Sequence, residues 1–298
     1  MTVLHTPEEQ FSNIPDYPFT PSFADIGDDL LVHYIDVWPQ DAPVILLMHG
    51  APSWSFISRK MIPLFEKEGF RVIAPDLIGF GKSSKLSRTS DYTYARHVQW
   101  IKTWIEQLDL RHINYFGQDW GGLIGLRQVT AMPERFDRIV VANTGLPTGD
   151  QPMPEAFLKW QQFSQMVPVF PFEMILQNAT ETQLSEAELA AYKAPFPDET
   201  YEAGARIFPA LVPTKADDPE SEANRQAWKV LMAWEKPLLT LFSDKDPVTK
   251  GGHLVFEKLV PGAKGQPHQI IEGAGHFLQE DKGPEIAEII IEWIKQNQ

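Results

Sequence analysis

The segment GQDWGG, residues 117–122, follows the apolar run INYF of residues 113–116. It has the form of a strand that enters a sharp turn and then a helix, with small residues around one reactive side chain. Gly117 and Gly121 lie two residues before and two residues after Asp119. A strained turn of this kind leaves no room for side chains at those two positions. The pattern predicts a nucleophile elbow whose reactive residue is an aspartate instead of the more familiar serine.

The composition excludes several classes of function. The chain has 298 residues, of which 43% are hydrophobic, and this is long enough to bury a sizeable core. The formal net charge of −14 repels phosphate backbones and anionic membrane surfaces, so neither nucleic acid nor a membrane is an expected partner. The absence of cysteine excludes disulfides, thiolate catalysis and Cys-ligated metals. With no signal-peptide pattern and no run near ~18 apolar residues, we expect a cytoplasmic protein.

The first half of the chain alternates short apolar runs, rich in β-branched residues, with longer segments of helical period. That alternation predicts an α/β fold in which helices pack on a mostly parallel sheet. Most of the runs are apolar throughout, which is typical of strands that are covered on both faces. The seven predicted strands span residues 31–37, 44–50, 71–76, 113–119, 138–144, 237–243 and 268–275.

Two segments carry the apolar stripe of an amphipathic helix. The second of them follows Gly283 and Pro284, a pair that suits the start of a helix. The first stripe consists of Val98, Ile101, Trp104, Ile105 and Leu108, and the second of Ile286, Ile289, Ile290, Trp293 and Ile294.

A long insertion separates two of the predicted strands. Some 92 residues lie between Thr144 and Pro237, whereas a crossover usually takes far fewer. The insertion is rich in Pro, Phe and Trp, and we interpret it as a small helical cap over the C-terminal edge of the sheet, where open α/β sheets bind ligands. We therefore expect residues 1–147 and 225–298 to form the main domain and residues 148–224 to form a cap that encloses a pocket.

Two further residues complete the chain order of nucleophile, acid and histidine that is typical of this kind of sheet. Asp246 comes just after the apolar run LLTLF, and His276 comes just after the run QIIEG. Both should lie at the sheet edge that carries Asp119. Asp244 is the local alternative to Asp246. We prefer Asp246 because a residue before a proline is pushed into an extended conformation that can aim its carboxylate at the histidine.

The loop that follows the predicted strand 44–50 is where this kind of fold keeps a backbone N–H for a developing oxyanion. In this chain the donor would be Ala51 in the segment His49–Pro52. The second donor would be the N–H of Trp120, the residue after the nucleophile.

An aspartate at the elbow changes the chemistry that the turn can support. A carboxylate with a reference pKa near ~3.9 is ionised at neutral pH, so it attacks without a base to deprotonate it. Attack on an ester or amide carbonyl would give a reactive anhydride, whereas displacement at a saturated carbon gives a stable alkyl ester of Asp119. His276, oriented by Asp246, would then activate water to hydrolyse that ester.

The leaving group decides between two reactions. An epoxide opens to an alkoxide that needs an acid, and Tyr192 and Tyr201 of the predicted cap are candidates for it. A halide needs weak donors in apolar surroundings, and an indole N–H donates without accepting. Trp120 beside the nucleophile and Trp160 in the cap are candidate indole donors. The residues alone leave this choice open.

The sequence resembles the haloalkane dehalogenases, and among them the subfamily with an Asp-His-Asp triad. The resemblance covers nearly the whole chain. It is carried by HGAPSWSFISRKMIPLFEKEGFRVIAPDLIGFGKS at residues 49–83, by GQDWGG, by AYKAPFPDETYEAGARIFP at residues 191–209 and by GAGHFLQE at residues 273–280. It implies an α/β-hydrolase fold and hydrolysis of haloalkanes to a primary alcohol, a halide and a proton. An epoxide hydrolase, which shares the fold, the elbow and the base, is the alternative.

The resemblance also implies roles for individual residues. Asp119 would be the nucleophile, His276 the base supported by Asp246, and Trp120 and Trp160 the halide donors. It implies pocket walls formed by Phe157, Phe208, Pro209 and Val212. Dehalogenases commonly have Glu or Asn at the position of Ala51, so here only the backbone N–H of that position would contribute. The implied partners are a small halogenated alkane, water and halide, with no cofactor and no metal, and we expect a monomer.

Overall fold

Eight strands form the central sheet in a computed structural model that describes residues 2–37, 39 and 41–297. In this part of the chain there are ten strands in all, and two short ones pair apart from the central sheet. The strands are β1 (Val3–Leu4), β2 (Pro21–Asp25), β3 (Leu31–Val37), β4 (Val44–Met48), β5 (Arg71–Pro75), β6 (Lys85–Leu86), β7 (Ile113–Gln118), β8 (Phe136–Ala142), β9 (Leu238–Ser243) and β10 (Gln269–Ile271).

The central sheet is mostly parallel, as predicted. Its spatial order is β10-β9-β8-β7-β4-β5-β3-β2. All neighbours from β10 to β5 pair in parallel, whereas β3 pairs antiparallel with β5 and with β2. The strands β7, β9 and β10 that precede the three predicted catalytic residues therefore end at one edge of the sheet.

Three of the observed strands were not predicted, and several predicted strands extend beyond the observed ones. β1 and β6 have two residues each, and β2 is an edge strand in which only Ala24 is buried, so none of them carries a long apolar run. The predicted strands 44–50, 113–119 and 138–144 end at Met48, Gln118 and Ala142. The residues just beyond those ends turn away from the sheet and form the loops at its C-terminal edge.

Ten α-helices accompany the strands in the described residues, and none of them is both long and apolar enough to cross a membrane. They are α1 (Ile62–Lys67), α2 (Tyr94–Gln107), α3 (Trp120–Ala131), α4 (Glu155–Met166), α5 (Phe172–Asn178), α6 (Glu186–Lys193), α7 (Ala203–Ile207), α8 (Ser221–Leu231), α9 (His253–Leu259) and α10 (Leu278–Gln296).

Both predicted helical stripes fall on observed helices, α2 and α10. Leu108 of the first stripe lies just beyond the last residue of α2. α10 begins at Leu278 and not at Gly283, and a non-helical residue, Lys282 (φ −137°, ψ 24°), kinks it just before Gly283 and Pro284. The predicted start therefore marks the kink, because a proline ring removes an N–H and crowds the preceding turn.

The sheet is buried on both faces, which explains the unbroken apolar runs of its strands. Along β4, Val44 and Leu46 point to the face that packs against α2 and α3, and Ile45 and Leu47 point to the face that packs against α1 and α10. Each strand therefore contributes alternate side chains to two separate layers of core.

The insertion between β8 and β9 carries α4 to α8. Near its two ends it is tied together by hydrogen bonds, since Trp228 Nε1 donates to the Leu146 carbonyl at 2.7 Å and Asn224 Nδ2 to the Pro147 carbonyl at 2.7 Å. α8 runs without a break through residues 224 and 225, where we expected the cap to end. The division of the chain into a main domain and a cap stays a prediction.

A buried ionic network links the insertion to the main sheet. The guanidinium of Arg59, which is fully buried, donates to both carboxylate oxygens of Glu280 at the start of α10 and to Glu188 of α6 at 2.6 Å. Lys60 donates to Glu280 at 2.7 Å, and the Tyr192 hydroxyl donates to the same carboxylate. The Tyr192 hydroxyl is thereby engaged in this network.

Replacing Arg59 with Met should destabilise the protein by about 3–5 kcal/mol, because it leaves the buried Glu280 carboxylate without its main partner. Urea unfolding measures the change in the free energy of unfolding. Lys295→Met is the matched control, since Lys295 pairs with Glu68 in an exposed ion pair and its loss should change stability little. Equal effects of the two substitutions would contradict a structural role for the buried network.

Candidate active site

The elbow holds Asp119 in a strained conformation between β7 and α3. Asp119 has φ 51° and ψ −123°, a region that a non-glycine residue rarely adopts. Its backbone is held on both sides, because its N–H donates to the Asn143 carbonyl at 3.1 Å and its carbonyl accepts from the Thr144 hydroxyl at 2.7 Å. The end of β8 therefore fixes the turn that presents the nucleophile.

Close packing explains the small residues around the elbow. A Cβ at Gly121 would lie 2.2 Å from the backbone oxygen of Met48, and that backbone cannot give way. A Cβ at Gly50 would lie 2.5 Å from the Cβ of Asp119. Glycine at these positions lets β4 and its following loop approach the nucleophile directly.

His276 contacts two carboxylates, one on each side of its ring. Its Nδ1 lies 2.9 Å from Asp246 Oδ2, and its Nε2 lies 3.3 Å from Asp119 Oδ2. Asp244, the alternative acid, accepts instead from the backbone N–H of Gly273 at 2.8 Å. The structure thus brings Asp119, His276 and Asp246 together, as expected from their positions at the ends of strands.

Asp246 is buried and its carboxylate is fully engaged. In addition to the His276 ring, it accepts from the Val248 N–H at 2.8 Å and from the Thr249 hydroxyl. Burial alone would raise the pKa of this carboxyl, but the ring and the two donors lower that pKa below its ordinary value. Asp246 therefore stays ionised and keeps a fixed orientation toward Nδ1.

The two carboxylates set the charge of His276. Burial alone would lower the pKa of His276, but Asp246 and then Asp119 outweigh burial and raise this pKa to about 10. The ring is therefore an imidazolium at neutral pH whenever both carboxylates are ionised.

One of the two predicted oxyanion donors contacts the nucleophile. The backbone N–H of Ala51 donates to Asp119 Oδ1 at 2.8 Å. The backbone N–H of Trp120 makes no hydrogen bond to that carboxylate within the described part of the chain. The structure thus places the Ala51 donor on the carboxylate and leaves the role of the Trp120 N–H a prediction.

A cavity of about 680 Å³ opens onto Asp119. Of the predicted walls, Phe157, Pro209 and Val212 line it together with Trp120 and Trp160. Phe208 does not line this cavity. It is fully buried behind Trp120, with 4.4 Å between the two ring centroids, so it supports the wall and does not form it.

The two candidate halide donors line this cavity, and their indole N–H groups are unused. Within the described residues, neither Trp120 Nε1 nor Trp160 Nε1 donates a hydrogen bond to the protein. Trp120 is held by an edge contact with Tyr94 and a tilted ring contact with Phe208, at centroid distances of 5.1 and 4.4 Å. Packing therefore fixes the ring and leaves its polar edge available.

The tyrosines proposed for an epoxide reaction lie elsewhere. Tyr192 is fully buried and donates to Glu280, and Tyr201 packs against the core. None of the tyrosines in residues 2–37, 39 and 41–297 lines the cavity on Asp119. The same part of the chain contains no group of three or more His, Asp or Glu side chains that could hold a metal ion.

The sequence analysis gave no role to Asn143 or Thr249. Asn143 is fully buried and donates to the carbonyls of Gly275 and His276 at 3.1 and 3.0 Å, so it fixes the loop that carries the imidazole. Asn143 falls in the predicted strand 138–144. Only its position at the sheet edge could have indicated that it contacts the histidine loop. Thr249 lies three residues after Asp246 in a segment without a motif.

Comparisons with known proteins agree with this geometry. The family described as alpha/beta hydrolase fold matches residues 43–283. The chain is 52% identical to a haloalkane dehalogenase of Psychrobacter cryohalolentis, over 100% of this chain and 99% of the relative. It is 48% identical to a haloalkane dehalogenase of Mycolicibacterium paratuberculosis, over 98% of each. The structure of a haloalkane dehalogenase from Paraglaciecola agarilytica, described as tetrameric, superposes with a TM-score of 0.90 at 35% identity and covers 97% of both chains.

The pairing of His276 with two carboxylates should make stability depend on pH. Because its folded pKa of about 10 lies above the ordinary 6.5, the ring contributes stability that is fully present below about pH 6.5 and lost as pH rises through about 10. Urea unfolding of wild type and His276→Phe should therefore give a difference, on the order of a few kcal/mol, that shrinks as pH rises. A difference that is constant with pH would contradict this pairing.

Proposed function

This chain belongs to the haloalkane dehalogenase family, and we propose that it hydrolyses carbon–halogen bonds through a covalent ester on Asp119. The observation that carries the proposal is the position of the Asp119 carboxylate. It lies 3.3 Å from His276 in a cavity lined by the unused indole edges of Trp120 and Trp160. The products are an alcohol, a halide ion and a proton.

In the first step an oxygen of Asp119 attacks the carbon that carries the halogen. The carbon–oxygen bond forms as the carbon–halogen bond breaks, and the halide leaves with the bonding electron pair. Trp120 and Trp160 donate their indole N–H groups to the departing halide, which favours weak donors in an apolar site. This step needs no base, because the carboxylate is already ionised.

In the second step water hydrolyses the ester. His276 Nε2 takes a proton as the water oxygen attacks the Asp119 carboxyl carbon, and the Ala51 N–H stabilises the charge that develops on the carboxyl oxygen. The ester carbon–oxygen bond breaks, the alcohol leaves with the second hydrogen of the water, and the carboxylate is restored with the water oxygen in it. Asp246 holds Nδ1 at 2.9 Å and stabilises the imidazolium that forms.

Ester formation also converts His276 from an acid into a base. In the free enzyme the two carboxylates raise the pKa of His276 to about 10, so the ring is protonated. The ester of Asp119 carries no charge, and its formation removes one of the two carboxylates that hold the proton. The ring therefore releases its proton more readily at the stage when a base is required.

The insertion has a role in this proposal as the cap of the active site. We assign the cap to residues 148–224, with residues 1–147 and 225–298 as the main domain, because the insertion supplies Phe157, Trp160, Pro209 and Val212 to the cavity on Asp119. A monomeric state and a cytoplasmic location, which we expect from the sequence, stay predictions.

Incubation of the enzyme with 1,2-dibromoethane should release bromide over many turnovers, and incubation with styrene oxide should give no diol. The difference is expected because indole donors suit a leaving halide, whereas no tyrosine of the described chain lines the cavity to protonate an alkoxide. Bromide is measured by ion chromatography and diol by gas chromatography. Asp119→Asn is the control and should release no bromide, while diol without bromide from the wild type would overturn the proposal.

A further inference from the structure

We propose that Gln118 is a positioning residue that favours the neutral, base-competent form of His276 once the ester has formed. This inference rests on the proposed function, because it concerns the second step of that reaction. Gln118 is the last residue of β7, directly before the nucleophile, and its side chain is fully buried.

The Gln118 amide nitrogen contacts both the ring and the backbone of His276. Its Nε2 lies 3.2 Å from His276 Nε2 and 3.1 Å from the His276 carbonyl oxygen. Turning the amide over would place its oxygen against that carbonyl oxygen, which is repulsive, so the backbone contact fixes the N–H groups toward His276. One N–H donates to the carbonyl and the other points at the ring nitrogen.

His276 Nε2 therefore has two neighbours with opposite requirements. Asp119 Oδ2, at 3.3 Å, is satisfied by a hydrogen on Nε2, whereas the Gln118 N–H is satisfied by a lone pair there. One nitrogen cannot meet both requirements at once. In the free enzyme the negative charge of Asp119 decides in favour of the hydrogen, and in the ester that charge is gone and the Gln118 donor decides in favour of the lone pair.

The other charged groups around the ring do not change during this exchange. Asp246 pairs with Nδ1 in either state, and it forms the only other ion pair with the ring among the described residues. Lys245 and Glu181 line a second cavity, which Asp119 and His276 also line, and Asp281 accepts from the backbone N–H of Gly275. Ester formation therefore alters one interaction of the ring, the ion pair with Asp119. Its loss favours the hydrogen bond from the Gln118 amide to the ring nitrogen.

Water can still reach the ring nitrogen. The contact of 3.2 Å between the Gln118 and His276 nitrogens is long for a hydrogen bond, so the O–H of water can replace it as the donor to the lone pair. The second hydrogen bond of the amide, to the His276 carbonyl, keeps Gln118 in place during that replacement.

A purely structural role does not explain the buried glutamine at position 118. Gln118 Oε1 is buried and has no hydrogen-bond partner in the described residues, which destabilises a fold. A Cβ at Gly50 would lie 2.7 Å from this oxygen and 2.6 Å from Asp119 Oδ1, so the glycine is also needed to let both side chains fit. An apolar residue would avoid the unsatisfied oxygen, and this favours a role for Gln118 in the reaction.

Asn143 provides the matched control. Like Gln118, it donates to the His276 carbonyl, at 3.0 Å, but it makes no contact with the ring. If Gln118 only held the loop, its loss and the loss of the Asn143 side chain would have the same kind of effect. Asn143→Gly suits the backbone of this residue, which has φ 38°.

The experiment follows hydrolysis of the alkyl-enzyme in a single turnover with 1,2-dibromoethane. Samples are quenched with acid, the alkyl-enzyme is measured by intact-protein mass spectrometry, and the decay rate is plotted against pH. The rate should rise as His276 loses its proton. In Gln118→Met the midpoint of that rise should lie about one pH unit higher than in wild type, because a donor to the neutral ring is lost.

Asn143→Gly should slow hydrolysis without moving the midpoint. Gln118→Glu should raise the midpoint by more than Gln118→Met does, because a carboxylate favours the imidazolium. This variant also provides the same test if Gln118→Met does not fold. An unchanged or lower midpoint in the folded Gln118 variants, or an equal shift in Asn143→Gly, would overturn the inference. A wild type that forms no alkyl-enzyme would instead overturn the proposed function.

Discussion

The imidazole of His276 lies between the carboxylates of Asp119 and Asp246, and the architecture of the site serves this arrangement. The three residues follow β10, β7 and β9, so the parallel order of those strands brings distant parts of the chain to one edge. The sheet brings the three residues close together, and the loops orient their side chains. Because one carboxylate is consumed as the nucleophile, the charge around the imidazole changes during the reaction.

Holding this arrangement requires several buried polar contacts and very close packing. Asn143 joins the end of β8 to Ser243 at 2.8 Å and to the carbonyls before the α10 helix, so the elbow and the histidine loop form one unit. Gly50 and Gly121 allow the backbone after β4 to lie against Asp119. The insertion supplies the apolar residues Phe157, Pro209 and Val212 to the cavity. The Arg59 network joins α6 to the start of α10.

Much of this could be predicted from the sequence, because the informative patterns are local. The elbow shows in GQDWGG, and unbroken apolar runs reveal strands covered on both faces. Chain order and a following proline favour Asp246 over Asp244, and the geometry agrees with that choice.

The edge strand β2 could not be predicted because one side of it is exposed. Phe208 was expected to line the cavity, but it packs behind Trp120, and this position depends on three-dimensional packing that the sequence does not show. Asn143 and Gln118 act through contacts with a loop more than a hundred residues away in sequence, which no local pattern records.

In this mechanism Asp119 forms an ester with the substrate before His276 acts. Replacing His276 with Phe removes the base and leaves the nucleophile, so the first step should proceed once and the second should stop. After incubation of this variant with 1,2-dibromoethane, we expect one bromide per enzyme and a stable bromoethyl adduct that peptide mass spectrometry locates on Asp119. Stoichiometric bromide without an adduct on Asp119, or continued turnover of the variant, would contradict this mechanism.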